Sequence, residues 1–357
     1  MDIGKLIRRI TARCHPAAYL FIPVLRLKDR LEGGRMHVSM EKNIREFLSG
    51  REPDGASSRR LRRDMWYSFL LYHADFEEYF LFRFPRLSHE GRREFVTEAE
   101  KDELCLAMSP EEVWRVIWDK WSAYGLFRKY YARDAVKADA GASYDDFRAF
   151  IEKHPRFIAK PRLESCGRGV TIYDAAAPDF DAESVFAELC GVDVICEELI
   201  VQAEPLARLH PASVNTVRVA TLVREDGSVE VLFTFLRMGR SGSIVDNGGA
   251  GGFVACVDKQ TGVVVTPGVT ERLYSTVCHP DTGVQILGLR IPRWEELLSL
   301  AREAALVYPA HPYISWDFAL TDAGWVVVEA NCQGQFVGPQ FTTGRGIRRE
   351  LAQYFPL

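Results

Sequence analysis

Two apolar runs near the end of the chain, residues 314–320 and 325–330, are joined by Thr321-Asp322-Ala323-Gly324, and each carries a carboxylate, Asp317 and Glu329. Runs of this kind around an Asp/Gly turn predict a two-stranded hairpin. Glu329 and Asn331 are two apart, so they share one face of their strand. Two carboxylates and an amide oxygen converging on one face form a hard-oxygen site suited to Mg²⁺. Buried acids with no such partner would be costly, although a purely structural hairpin is the alternative.

The rest of the chain has two textures. Residues 1–150 read mainly helical, with many aromatics between 64 and 84. Ser109-Pro110-Glu111-Glu112 predicts a helix start: a Ser N-cap, Pro at the first helical position and acids in the first turn. Trp114, Ile117, Trp118 and Trp121 give the following one or two helices, within 108–131, an apolar face. Beyond about residue 155, β-branched and apolar runs predict strands at 157–160, 167–173 (with a turn), 192–200, 213–223, 229–237, 253–257 and 262–266. A helix is expected at 294–307. The fold class is α+β with antiparallel hairpins; the regular βαβ units of a Rossmann sheet are missing.

At 357 residues and 47% apolar content, the chain can form two or three lobes around a large core. A net charge of −4 argues against a generic nucleic-acid binder. The charge is unevenly placed: residues 1–63 carry +8 and the remainder −12. The cluster Arg59-Arg60-Leu61-Arg62-Arg63 reads either as a solvated helix face or as a contact for lipid headgroups or a polyanionic substrate. Eight cysteines form no CxxC pair and read as buried or incidental thiols of a reducing, cytoplasmic setting. No apolar run reaches the roughly 18 residues of a spanning helix. The apolar stretch at 16–27, with two prolines and Arg26, reads as a packed amphipathic segment or as a surface that leans on a membrane.

Four further segments bear chemistry. Lys160 ends an apolar strand and is followed by Glu164-Ser165-Cys166-Gly167-Arg168-Gly169, a hairpin turn or a phosphate-cradling loop. Glu197 and Glu198 are adjacent in a strand, so they point to opposite faces. Arg218, in Asn215-Thr216-Val217-Arg218, and Arg237 each sit in an apolar strand, where a buried cation needs an anionic partner. Asp246-Asn247-Gly248-Gly249-Ala250-Gly251-Gly252 is a long hairpin turn or a close-approach loop.

Taken in order, these motifs resemble those of the ATP-grasp superfamily over residues 115–340. The wording of Asn215 to Val219, Asp246-Asn247 with Gly251-Gly252, and Trp316-Asp317 resembles the sugar-transfer-associated group, with a tail similar to glutamate-ligase-type members. The resemblance implies an ATP-grasp fold of two α+β subdomains with the nucleotide between them. It implies a subdomain at 111–196 with the phosphate-binding Lys and Gly-rich loop, and a subdomain at 197–357 with the metal and substrate site; the mainly helical N-terminal region at 1–110 departs from it, because many relatives open with a Rossmann-like domain. ATP and Mg²⁺ are the implied cofactors. Lys120, Lys160, Glu164, Ser165, Gly167, Gly169, Glu197, Glu198, Leu199 and Ile200 match nucleotide-binding positions. Asp317, Glu329 and Asn331 match metal ligands, and Arg218 and Arg237 match cations near the transferred phosphoryl group. Ser315 departs from the pattern, because D-alanine-ligase-like members carry an Arg there.

The implied activity is ATP-dependent carboxylate–amine ligation through an acylphosphate, on small-molecule acid and amine substrates such as sugar-linked ones. A phosphotransferase acting on a hydroxyl, or a nucleotide-binding partner protein without turnover, are the alternatives. Cys166 and Cys332 have no sequence-near His and read as bystanders. The basic N-terminus is compatible with a peripheral membrane contact.

Overall fold

The described part of the aromatic-rich first hundred residues folds mainly as helices. A computed structural model describes residues 15–48, 55–165, 167–243, 246 and 251–355. The chain forms two compact units: Met1–Leu104 with Arg272–Tyr274 and Gln335–Leu357, and Cys105–Glu271 with Ser275–Gly334. No helix among the described residues is long and apolar enough to cross a membrane.

The first unit contains α1 (Ala18–Leu31), α2 (Arg35–Leu48), α3 (Gly55–Tyr72), α4 (Glu78–Leu81), α5 (His89–Arg93) and the part of α6 (Glu98–Ala107) up to Leu104. Its core includes Trp66, Tyr79, Phe82, Phe84 and Phe95, with Phe82 stacked on Phe95 at 4.7 Å. Arg92 is buried there because its guanidinium is satisfied: Asp64 accepts at 2.8 and 2.9 Å, and Ser68 Oγ and the Phe84 carbonyl at 3.0 Å. Gln340, on the helix Val337–Thr343, accepts from the Val96 amide at 2.9 Å and donates to its carbonyl at 2.7 Å. The basic cluster is divided. Arg62 is paired with Glu41 at 2.6 Å and Arg63 lies over the Tyr19 ring at 4.3 Å, while Arg59 and Arg60 are exposed.

The second unit holds α7 (Glu111–Trp118), α8 (Lys120–Tyr131), β1 (Ala135–Ala138), α9 (Tyr144–Lys153), β2 (Arg156–Pro161), β3 (Thr171–Asp174), α10 (Ala182–Val192), β4 (Val194–Glu198), β5 (Thr216–Val223), β6 (Val229–Met238), β7 (Phe253–Val257), β8 (Gly268–Val269), β9 (Ser275–Thr276), α11 (Trp294–Ala305), β10 (Tyr313–Thr321) and β11 (Gly324–Asn331). The strands form a four-stranded sheet, β1-β4-β2-β3, and a seven-stranded sheet, β11-β10-β5-β6-β7-β8-β9. Every pairing is antiparallel.

Each sheet has one apolar face, set by the period-two pattern of its strands. Phe157, Ala159, Val194 and Cys196 bury against Phe147, Phe150 and Ile151 of α9 and Leu189 of α10. In the larger sheet, Val217, Val219, Leu236, Ala255, Trp316 and Phe318 share a core with Phe127 of α8 and Leu297, Leu298 and Ala301 of α11. The alternate residues, Arg218, Arg237 and Asp317 among them, fall on the other face.

Two expectations are corrected. Ser109 does not cap α7: its hydroxyl lies 2.7 Å from His311 Nδ1, and Pro110 takes the N-cap position with no side-chain bond. Residues 262–266 form no ladder strand, only isolated bridges at Val263 and Val264. The Asp258 carboxylate collects the Gln260 and Thr261 amides at 3.2 and 2.8 Å, which bends the chain into a turn instead.

That turn ends at Gly262, with φ +69°, where a Cβ would lie 2.5 Å from Trp294 Cγ. Gly227, at φ +79°, has nothing within 4 Å of a Cβ. Gly227→Ala should therefore cost about 1 kcal/mol from backbone strain alone. Gly262→Ala should cost at least about 2 kcal/mol, because overpacking is added. Urea unfolding of the two variants checks this, and equal losses would show that contact with Trp294 does not set the cost.

Candidate functional site

The register of β10 with β11 sets Asp317 opposite Glu329 and Ser315 opposite Asn331, so the predicted oxygen donors share one face. On the other side of β10, Arg218 stands opposite Asp317. Its Nε and Nη2 donate to Asp317 Oδ1 and Oδ2 at 2.7 and 2.5 Å. Arg237 Nη1 donates to Asp317 Oδ2 at 2.8 Å, and its Nη2 lies 3.3 Å from Asp246 Oδ1. The Thr216 hydroxyl and amide both donate to Asp246 Oδ2. Burial would raise the Asp317 carboxyl, but Arg218 and Arg237 overcome it and hold it below the ordinary range. Asp246 goes the other way: burial, aided by the Asp317 charge, pushes it up against the pull of Arg237. Burial likewise opposes the charge on Arg237, and the carboxylates of Asp246, Asp317 and Glu329 outweigh it.

The smaller sheet supplies a second cluster. Ile158 stands opposite Glu197, and Lys160 opposite Ile195, so Lys160 and Glu197 share the face turned away from α9 and α10. Lys160 Nζ lies 2.9 Å from Glu197 Oε2, and Arg133 Nε donates to the same oxygen at 2.8 Å. Arg133 continues to the larger sheet, where Nη1 donates to the Val327 carbonyl at 2.5 Å and Nη2 to the Val328 carbonyl at 3.1 Å. Lys120, the first residue of α8, lies 3.2 Å from Glu329 Oε1 and donates to the Glu164 carbonyl. Burial lowers the Lys160 amine despite Glu197. Glu197, which burial alone would raise, is held down by Arg133 and Lys160.

Lys120, Lys160, Glu197, Glu329, Asp317, Arg218 and Arg237 are thus brought into one charged network. Glu198 is not part of it. It points to the other face of β4, where Oε2 accepts the Asp134 amide at 3.2 Å and Oε1 lies 3.8 Å from His154 Nδ1. Leu199 and Ile200 follow the strand and are half-buried. Glu164 pairs with Arg168 at 3.2 Å and Ser165 is exposed; neither side chain reaches Lys160. Gly167 and Gly169 have φ of +69° and +70°, and a Cβ on Gly169 would lie 2.8 Å from Pro161 Cγ. Cys166 and residues 247–250 lie outside the described residues. Asn215 is structural: its Nδ2 donates to the Leu206 and His210 carbonyls at 3.0 and 3.1 Å.

Arg133 was not among the sequence candidates. It follows a helix end in Tyr131-Ala132-Arg133-Asp134, where no apolar strand marks it as buried. Asp246 stood out only as part of a glycine-rich loop. The donor set fits a hard divalent ion through Glu329, which is partly exposed, and Asn331, whose Nδ2 is taken by the Ser315 carbonyl at 3.2 Å. Asp317 fits less directly, because both its oxygens already accept from guanidinium groups. Among the described residues, one group of three His, Cys, Asp or Glu ligand atoms falls within 4.8 Å, Asp134, His154 and Glu198. Asp134 in that group is already bound by Lys153 at 2.5 Å.

A family model described as sugar-transfer associated ATP-grasp matches residues 124–354. No curated protein matches the sequence. Among solved structures, the ATP-grasp ligase PsnB complexed with minimal precursor is similar at 14% identity and TM-score 0.42, over 69% of this chain and 61% of that one. D-cycloserine synthetase DcsG is similar at 14% identity and TM-score 0.41, over 72% and 77%. The D-alanine-D-alanine ligase from Coxiella burnetii is similar at 10% identity and TM-score 0.40, over 67% and 56%. The chain therefore spans less than two thirds of the length of PsnB and of the Coxiella ligase.

Two predictions follow from the paired charges. Arg133→Met should destabilise the second unit by about 3 kcal/mol, since Glu197 and two carbonyls lose their donor. Adding Glu197→Gln should cost less than the sum of the single losses in urea unfolding. Asp317 and Glu197 both have folded-state pKa values below their unfolded ones, about 3.9 and 4.3. Their contribution is complete above those unfolded values and is lost as pH falls through the folded ones. Unfolding free energy measured against pH should fall below about pH 4, and Asp317→Asn should flatten the fall.

Proposed function

Because the chain belongs to the sugar-transfer-associated ATP-grasp family, we propose that it is an ATP-dependent carboxylate–amine ligase acting on a sugar acid or polysaccharide precursor in the cytoplasm. The observation that carries this reading is the clamp of Arg218 and Arg237 on Asp317, beside the Lys160–Glu197–Arg133 cluster. A phosphoryl group in transfer needs fixed cations around its oxygens, and buried ion pairs hold such cations in place before the ligand arrives.

In this proposal ATP lies against the Lys160 face of the smaller sheet. Lys120 and Lys160 bind its phosphates, with Glu164, Ser165, Gly167 and Gly169 over them, and the backbone at Leu199 and Ile200 meets the adenine. An oxygen of the substrate carboxylate attacks the γ-phosphorus, the bond to the β,γ-bridging oxygen breaks, and ADP leaves. Arg218 and Arg237 stabilise the oxygens of the transferring group. The amine nitrogen then attacks the acyl carbon, the carbon–oxygen bond to phosphate breaks, and the nitrogen loses a proton. The products are an amide, ADP and phosphate. Glu329 and Asn331, with Asp317, would hold Mg²⁺, which when bound neutralises charge on the phosphate oxygens. An Arg at position 315 has no room. Ser315 is fully buried, and a Cβ on Gly334 would lie 2.0 Å from its Cβ. Arg218, directly across from Asp317, supplies the guanidinium instead.

Phosphate release from Mg·ATP, screened with pooled sugar acids and amino acids, tests the proposal. Release should require both an acid and an amine and yield a product of their summed mass less water. Arg218→Met should slow it about a hundredfold or more. A phosphorylated sugar with no free phosphate would replace the ligase by a kinase.

A further inference from the structure

Helix α1 leaves an apolar stripe in solvent. Leu20, Val24, Leu27 and Leu31 are 76%, 55%, 58% and 78% exposed. Their spacing of four, three and four residues sets them within about 60° of one another on a helix. Ala18, Ile22 and Asp29, the buried residues of α1, lie on the opposite side. Exposing four large apolar residues in a row removes nothing from water and therefore points to a partner.

The charges beside the stripe identify it. Lys28 flanks one edge and Arg30 the other, with Arg26 beyond Arg30 on the same side. The one acid in the helix, Asp29, is turned inward, where it accepts the Met36 and His37 amides at 2.9 and 3.0 Å; Glu32, just past the helix end, pairs with Lys28 at 3.7 Å, an exposed pair that a lipid phosphate can compete with. Arg63 adds a cation on the Tyr19 side, and Tyr19 stacks on Tyr67 at 4.4 Å. A second copy placed stripe to stripe would set these cations against one another, along a helix of 14 residues with Pro23 inside it. A span is ruled out by the same length and charge. An apolar ridge with cations on both edges fits a surface that is apolar below and anionic above.

We propose that α1 lies in the plane of an anionic phospholipid bilayer, its Leu20–Val24–Leu27–Leu31 stripe at the acyl boundary and Arg26, Lys28 and Arg30 on lipid phosphates. This docking is independent of the ligase reading. It would set the chain at a membrane whatever reaction it performs.

Flotation of the full chain with vesicles of phosphatidylcholine, alone or mixed with phosphatidylglycerol, tests it. Binding should appear with the anionic lipid and weaken at high salt. Leu27→Glu/Leu31→Glu should abolish it, and Lys28→Glu/Arg30→Glu should weaken it by about fivefold or more per cation. Both pairs are exposed, so thermal melting and ATP binding should be unchanged. Absence of binding to either vesicle would overturn the proposal. So would binding that survives Leu27→Glu/Leu31→Glu. A concentration-dependent dimer that this double variant dissociates would overturn it in favour of a second copy.

Discussion

The Arg133 guanidinium is the point on which the charged site depends. It reaches from Glu197 on the smaller sheet to the carbonyls of Val327 and Val328 on the larger one. The Arg133 and Glu197 side chains are 5% and 3% exposed. Desolvating both is expensive and is repaid only if every donor and acceptor finds a partner. Lys160 shares the Glu197 carboxylate, so its position follows from the same bond. Glu329 lies one residue beyond Val328, so fixing that carbonyl also fixes where Glu329 meets Lys120.

Much of this was legible in the sequence, because strand periodicity is a strong signal. The alternation through 213–223 and 314–330 placed Arg218, Asp317, Glu329 and Asn331 on polar positions, and the register then set them side by side. What sequence could not supply is pairing across elements. Arg133 looks like any surface Arg after a helix until β4 and β11 close around it. The pair Glu197-Glu198 showed that one acid must face each way, and which one joins Lys160 depended on the register with Ile158. Ser109 illustrates the converse. Local cap chemistry was right in kind, but a buried His311 202 residues away competed for the same hydroxyl.

The clamp on Asp317 also explains how two arginines persist inside a sheet. Asp317 alone cannot neutralise both, and Asp246 completes the count by holding the free end of Arg237. The cost falls on Asp246, whose ionised form is disfavoured by burial and by its proximity to Asp317. A site built in this way holds its guanidinium groups in fixed positions, and in the proposed reaction a polyanion would meet donors that need no large rearrangement.

The remaining donors have a definite direction of use. Arg218 spends Nε and Nη2 on Asp317, and Arg237 spends Nη1 on Asp317 and Nη2 on Asp246. A guanidinium carries five N–H groups in one plane. The carboxylates therefore fix that plane, and Arg218 Nη1 is the nitrogen that the clamp on Asp317 does not use. A lysine at 218 would keep the charge and lose the fixed plane. That difference gives Asp317 a structural role of its own, as the carboxylate that fixes the planes of both guanidinium groups.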